Sequence, residues 1–424
     1  MKHRVVITGM GVVAANAHGL ADYEDALRRG RSGIRMHPRL RELGFGCQVG
    51  GIPELSDETI ARYFGSTELA AMNSNMLYGC IAGVDAWRDA GLTTPADGSN
   101  DVDWESGAVV GTGVGGVDTV GDFVVPLVNE GKVRRLGSTA VERTMASSVS
   151  AKLGGLLALG AQVTTNSSAC TTGTEAVVDA YFAIREGRAT RMLAGGSEGS
   201  SHYIWACFDA MRVLSRGFND TPERASRPLS ASAGGFVPSS GAGLLVLEAL
   251  ESATRRGARI YAEVLGGAVT CGGQRMGGSM TAPNPEGVVR CIRAALTAAN
   301  IQPGDVDVIN GHLTATMADV SEVRNWTRAL ERSPRDMPWL QSTKSLIGHG
   351  LGAAGGLECV ASVLQLHGGF VHGSMNCDDV HPELEAYAER IPQTTRASSA
   401  RVLAKASFGF GDVNGCVLFR RWDA

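Results

Sequence analysis

Along the chain, short runs of β-branched and aliphatic residues alternate with longer stretches whose apolar positions recur every three or four residues. The runs at 4–8, 108–111, 162–165, 192–194, 243–247, 262–265, 306–309, 402–406 and 416–419 have the length and make-up of buried strands. Between them, the window 174–186 sets Ala176, Val177, Ala180, Tyr181 and Ile184 at helical spacing. The window 353–366 is apolar nearly all round, which predicts a helix buried on most of its sides. Strands alternating with helices predict an α/β fold with parallel sheets covered by helices.

The pattern repeats. Segment 161–180 (AQVTTNSSACTTGTEAVVDA) and segment 338–362 (PWLQSTKSLIGHGLGAAGGLECVAS) both run strand, Ser/Thr-rich turn, small residues, helix. Two such units imply a duplicated fold. The charged, small-residue stretch 251–259 predicts the crossing between an N-terminal half, 1–257, and a C-terminal half, 258–424. Segments 222–227 and 233–243, rich in Pro or Gly, are predicted to be surface loops or turns.

Composition narrows the class. Apolar residues make up 44% and charged residues 19%, enough for a sizeable core and unlike a disordered chain. A net charge of −4 argues against a whole-chain basic surface for nucleic acid, though not against a local basic patch. Nine cysteines, an odd number without a CxxC pair, fit a reduced, cytoplasmic protein. The opening MKHRVVITGMGVV reads as a buried strand and turn, not a signal peptide. No run of 18 apolar residues predicts a transmembrane helix. Walker A, HExxH and zinc spacings are absent, and the pairs Gly9–Gly11 and Gly111–Gly113 lack the full dinucleotide fingerprint. Neither a metal nor a nicotinamide cofactor is expected.

Candidate chemistry gathers where strands end. Cys170, in NSSACTTGTEA, lies between a strand and a helix, where free N–H groups and the helix dipole favour thiolate. It is either a nucleophile or one more buried cysteine. His312 follows Asn-Gly at a strand exit, the position at which parallel sheets bind ligands, or it is a turn histidine bonded to a carbonyl. The hydroxyls of Thr314 and Thr316 alternate so that both can point one way, towards a ligand or into the loop as caps. His349 is flanked by glycines in STKSLIGHGLGAAGG, suited to an open pocket or to helix capping. Lys344, if buried, needs a carboxylate, for which Asp319 and Glu322 are candidates. In KASFGFGDVNGC, Phe408 and Phe410 alternate with glycine, as a loop with free N–H groups and a mobile ring, or as a hairpin with two core rings. Lys132, Arg134 and Arg135, together with Arg62, make a local basic cluster that is either solvated surface or a site for an acidic partner.

Taken in order, VVITGMGVV, SSACTTGTEA, FNDTPERASRPL, GGFVPSSGAG, GHLTAT, TKSLIGHGLGAAG and SFGFGDVN resemble the β-ketoacyl-acyl-carrier-protein synthases of the thiolase superfamily, and most of all the elongating types I and II, which carry Cys-His-His. The resemblance implies a thiolase-like duplicated five-layer αβαβα fold, normally a homodimer, with a heterodimer of related subunits as the variant. It implies decarboxylative condensation of malonyl-acyl-carrier protein with an acyl group on Cys170, lengthening a fatty acyl, polyene or polyketide chain by two carbons. No cofactor is implied, because substrates arrive on the carrier protein's phosphopantetheine. By resemblance, Cys170 is the nucleophile, and His312 and His349 stabilise the enolate. The amides of Cys170 and Phe410 form the oxyanion hole, with Phe410 as gate. Lys344 and Glu322 support the site, Thr314, Thr316 and Phe408 contact substrate, and Arg62, Lys132, Arg134 and Arg135 face the acidic carrier protein. Three departures stand out: Leu313 for a glycine, Asp412 for a glycine, and Ala233-Gly234 for Arg-Asp. Two other readings are a chain-length-factor-like partner subunit and a coenzyme A thiolase. Partner subunits lack the cysteine; thiolases carry a second one, for which Cys416 is the candidate.

Overall fold

The computed structural model describes residues 2–96 and 98–423. Its centre is built from β1 (Val5–Ala14), β2 (Ser106–Gly111), β3 (Val163–Thr164), β4 (Arg191–Glu198), β5 (Gly241–Ala249), β6 (Ala262–Cys271), β7 (Val308–Asn310), β8 (Trp339–Gln341), β9 (Val402–Gly409) and β10 (Val413–Arg421). The helices that cover and separate them are α1 (Ser74–Asp89), α2 (Ser148–Leu156), α3 (Thr172–Arg185), α4 (Pro285–Ala299), α5 (Ala318–Leu330) and α6 (Ala354–Gly368).

The duplication is visible in the strand order. The strands are joined edge to edge in one continuous path, within which one sheet runs β1-β5-β4-β2-β3 and the other β6-β10-β9-β7-β8. In each, the first two pairings are antiparallel and the last two are parallel. The sheets meet where β1 and β6 pair antiparallel, Val5 opposite Val264 and Ile7 opposite Ala262. The expectation of parallel sheets therefore holds for only half of these pairings. A parallel neighbour requires a long crossover, whereas β9 turns back at once into β10, Gly409 opposite Val413.

Three of the buried clusters define five layers. Ile81 and Trp87 of α1 and Leu153 of α2 pack on the outer face of the first sheet with Val246. Val289 and Ile292 of α4 and Trp326 of α5 pack on the outer face of the second with Leu418. Between the sheets lie α3 and α6, whose Ala176, Val177, Leu357 and Val360 share the central core. Every residue from Ala354 to Leu366 is buried, which explains the apolar window at 353–366. The order α, β, α, β, α is the five-layer arrangement expected.

Two close approaches of backbone to backbone set the positions of the central elements. β1 runs on through Gly9 and Gly11 because α1 lies against it: a Cβ on Gly11 would sit 1.9 Å from the Ala82 carbonyl oxygen. The N-termini of α3 and α6 touch in the same way, since a Cβ on Gly173 would sit 2.4 Å from the Gly356 nitrogen. The segment 233–243 departs from its reading as a surface loop. Phe236–Ser240 are buried and Gly241 already begins β5; Arg227, from the other predicted loop, is buried as well. Glycine content there marks tight interior passage of the backbone, as at Gly235 (φ 122°) and Gly241 (φ 136°).

Candidate active site

Cys170 sits in a 3-10 turn, Ala169–Thr171, between β3 and α3. Ala169 adopts φ 50°, a left-handed conformation that makes this strand-to-helix elbow sharp. Hydroxyls hold the elbow: Thr172 Oγ1 donates to the Ala169 carbonyl (2.7 Å), and Thr171 Oγ1 donates to the Val413 carbonyl of β10 (2.9 Å). The nucleophile candidate is thereby tied to the strand that comes after the Phe410 loop.

His312 follows β7 in a loop shaped by two buried carboxylates on α5. Glu322 accepts the backbone N–H groups of His312 (2.7 Å) and Leu313 (2.8 Å). Asp319 accepts those of Thr314 (2.8 Å), Ala315 (3.1 Å) and Leu229 (2.9 Å). These bonds hold Leu313 at φ 20° and Ala315 at φ 63°. Burial pushes Glu322 up to about 7 and Asp319 up to about 6, with the amide donors pulling the other way. The Thr314 and Thr316 hydroxyls do point together, 3.0 Å apart.

His349 leaves a single helical turn, Lys344–Ile347, through Gly348, and its N–H donates to the Val237 carbonyl (2.7 Å). Its Nε2 lies 3.1 Å from Cys170 Sγ. Its Nδ1 accepts the Leu351 N–H at 3.3 Å. A neutral imidazole holding a lone pair at Nδ1 carries its proton on Nε2, so His349 is a hydrogen-bond donor to the sulfur and not a base towards it. The His312 and His349 rings stand edge to face, centroids 5.3 Å apart. One ligand atom from each of Cys170, His312 and His349 lies within 4.8 Å of the other two. That spacing matches a soft metal site, but Nε2–H on His349 is the wrong tautomer for a ligand there. Burial, then the Lys344 charge, lowers both imidazoles well below the usual histidine range and keeps them neutral.

The thiol itself corrects an expectation. Burial pushes Cys170 up to about 11, and the pull of the Lys344 ammonium and the Phe410 amide does not offset it. The 3-10 turn also places Cys170 ahead of α3 proper rather than on its first turn. At neutral pH the resting sulfur is a thiol.

A second correction concerns Lys344. It is fully buried, as anticipated, but its partner is Glu358 of α6, not Glu322 or Asp319. The other oxygen of Glu358 faces Lys405 of β9 at 2.8 Å. Phe408 is buried with its ring 6.4 Å from that of His312. Phe410 is partly exposed, its ring 6.0 Å from Phe208 and its amide directed at the Cys170 sulfur. Arg62, Lys132, Arg134 and Arg135 are exposed, and Lys132 pairs with Glu130 at 2.6 Å. Cys416 is buried within β10 and is not part of the Cys-His-His cluster.

Three acting groups had no place in the sequence reading. Glu358 is the one acidic residue in a mostly apolar helix, and Lys405 is a charge inside a buried strand; both mismatches are legible in sequence. Glu198, at the end of β4, accepts N–H groups of Gly113 (2.8 Å) and Gly352 (2.9 Å) and so braces the turn after His349. Nothing local marks it.

A buried cysteine faced by two neutral imidazoles, at the seam of a duplicated five-layer fold, defines a thiolase-like condensing site. Residues 2–253 match the N-terminal domain of the beta-ketoacyl synthases and residues 261–378 their C-terminal domain. The chain belongs to the beta-ketoacyl synthase family. It is 36% identical over 423 residues to the chloroplastic 3-oxoacyl-[acyl-carrier-protein] synthase I of Arabidopsis thaliana, covering 99% of this chain and 86% of that one. Among solved structures, the ishigamide ketosynthase/chain length factor superposes with a TM-score of 0.89 at 28% identity, covering 100% of both chains. A type II polyketide-synthase ketosynthase, solved with its acyl-carrier protein and bound to the hexaketide, superposes with a TM-score of 0.87 at 26% identity, again over 100% of both.

Proposed function

We propose that the chain is an elongating ketosynthase that joins malonyl groups, delivered on acyl-carrier protein, to an acyl chain carried by Cys170. The observation that carries this reading is the 3.1 Å contact between Cys170 Sγ and the protonated Nε2 of His349, with His312 beside it. In the first stage Cys170 attacks the incoming thioester. The acyl group moves to sulfur and the proton leaves with the pantetheine thiol. In the second, the malonyl thioester carbonyl lies against His312 and the Nε2–H of His349, which stabilise the enolate formed as carbon dioxide departs. The carbanion attacks the Cys170 thioester, and the oxyanion that forms is held by the amides of Cys170 and Phe410. Collapse releases the sulfur and a 3-oxoacyl chain longer by two carbons.

Supporting groups take their roles from position. Glu322 and Asp319 fix the His312 loop, and Lys344 lies behind the imidazoles on Glu358. Thr314 and Thr316 offer paired hydroxyls to pantetheine, and Phe408 backs the His312 ring. Exposed Arg62, Lys132, Arg134 and Arg135 form the docking face for the acidic carrier protein. The two halves divide at 257/258, and the working unit is a cytoplasmic dimer without a bound cofactor. Among the described residues no helix is long and apolar enough to cross a membrane. The ishigamide relative pairs a ketosynthase with a chain length factor by name, which makes a related subunit the alternative partner. This chain, holding Cys170, takes the catalytic place in such a pair.

The test is mass spectrometry of the protein incubated with acyl-carrier proteins of graded chain length. An acyl adduct on Cys170, absent in Cys170→Ala, is expected. Full condensation by Cys170→Ala, or turnover of acetyl groups alone without malonyl, would reject the reading.

A further inference from the structure

We propose that Lys405 is a positioning residue of the condensation site: it braces Glu358 from the side opposite Lys344 and leaves a net positive charge behind the two imidazoles. The inference rests on the ketosynthase reading for its chemistry, but its structural basis is independent. Lys405 lies in β9, its side chain wholly buried. Its Nζ is 2.8 Å from Glu358 Oε2 and 2.8 Å from Ser407 Oγ, and it donates to the Ala406 carbonyl. Lys344 holds Glu358 Oε1. One carboxylate thus lies between two ammonium groups, all three on rigid elements and out of water.

A buried charge of this kind is costly unless something uses it. A lone Lys344–Glu358 pair would be neutral overall and complete. The second lysine adds one positive charge, on the strand that runs on to Phe408 beside the His312 ring and close enough to act on both imidazoles. The charged and titratable groups around His312 and His349 are Cys170 before α3, Lys344 in its single turn, Lys405 on β9, Glu358 on α6, Glu322 on α5 and Glu198 on β4. The lysines oppose protonation of both rings, after burial itself. Ser407, which Lys405 also holds, bonds Thr174 of α3 at 2.9 Å, so the same contact ties β9 to the helix that follows Cys170.

Replacing Lys405 by Met keeps the length of the side chain and removes the charge. The expected result is that the NMR titration midpoints of His312 and His349, assigned with single His→Asn variants, rise by about one pH unit. Lys405→Arg, which restores a cation, returns them towards wild type. Malonyl decarboxylation by Lys405→Met falls most at low pH, whereas simple loss of packing would lower it equally at every pH. Midpoints within about 0.2 unit of wild type in a folded Lys405→Met protein overturn the proposal; if that variant does not fold, unchanged midpoints in Lys405→Gln do so. Failure of the wild-type protein to decarboxylate malonyl-carrier protein would instead overturn the ketosynthase reading and leave the titration still decisive for Lys405.

Discussion

Asp412 occupies a place where the family carries glycine, and its geometry makes a sharp prediction. Its side chain is wholly buried, and its backbone adopts φ 61°. One carboxylate oxygen accepts the Asn284 N–H at 2.8 Å and the other accepts the Gln274 N–H at 2.9 Å. It therefore fastens both ends of segment 274–284 to the loop that carries Phe410. Two backbone bonds support the same junction, Gly272 N–H to the Asp412 carbonyl (2.9 Å) and Gly411 N–H to the Met280 carbonyl (2.8 Å). Asp412→Gly leaves these and deletes only the carboxylate. Two charge-assisted hydrogen bonds contribute about 3–6 kcal/mol together, and releasing a non-glycine residue from the left-handed region returns about 1–2 kcal/mol. The net loosening is about 1–5 kcal/mol, a rise of roughly 5- to 5,000-fold in local opening. Amide hydrogen exchange at Gln274 and Asn284 reads this directly, with the β1–β6 junction as the unchanged control. Asp412→Asn, which keeps one acceptor oxygen, falls between. Exchange within about twofold of wild type at both amides in Asp412→Gly would show that the carboxylate does not clamp this loop.

Three further outcomes are expected from the same structure. Because burial pushes the Cys170 thiol up to about 11, its alkylation by iodoacetamide rises with pH through the alkaline range, and a plateau below about pH 8 would contradict this. Glu322 is raised by burial from 4.5 to about 7. The folded state therefore binds the proton more tightly than the unfolded one, and this contribution to stability is present below the unfolded value and lost as pH rises through about 7, on the order of 3–4 kcal/mol. Urea unfolding between about pH 4.5 and 8 shows a shallower decline in Glu322→Gln than in wild type. Arg134→Glu with Arg135→Glu raises KM for carrier-protein substrates by about tenfold, more at low salt, and leaves kcat within about twofold; an unchanged KM removes these residues from the docking face.

Much of this protein is legible along the chain because its signals are local. Each predicted strand window overlaps an observed strand, and the windows at 174–186 and 353–366 are the two central helices. Hydrophobic periodicity reports which face of an element is covered, and here the two central helices are covered on nearly every side. The repeat of strand, turn and helix likewise became a repeat of sheet order. Cys170, His312 and His349 were marked by small neighbours and strand exits, and tertiary structure brought them within one cluster.

What the chain could not settle by itself were quantities that depend on partners distant in sequence. Strand direction is one: hairpin and crossover are told apart only by where the next strand docks. The partner of Lys344 is another. Asp319 and Glu322 are the candidates named from sequence, but both are taken up by backbone amides, and Glu358 reaches the lysine from inside α6. The protonation of Cys170 is the third. Sequence alone determined that a thiol stands at a strand-to-helix elbow with free amides near it, and that favours the anion. Only the packed structure decided how much water was removed, and desolvation of a charge grows with everything packed around it, so burial outweighs the local field.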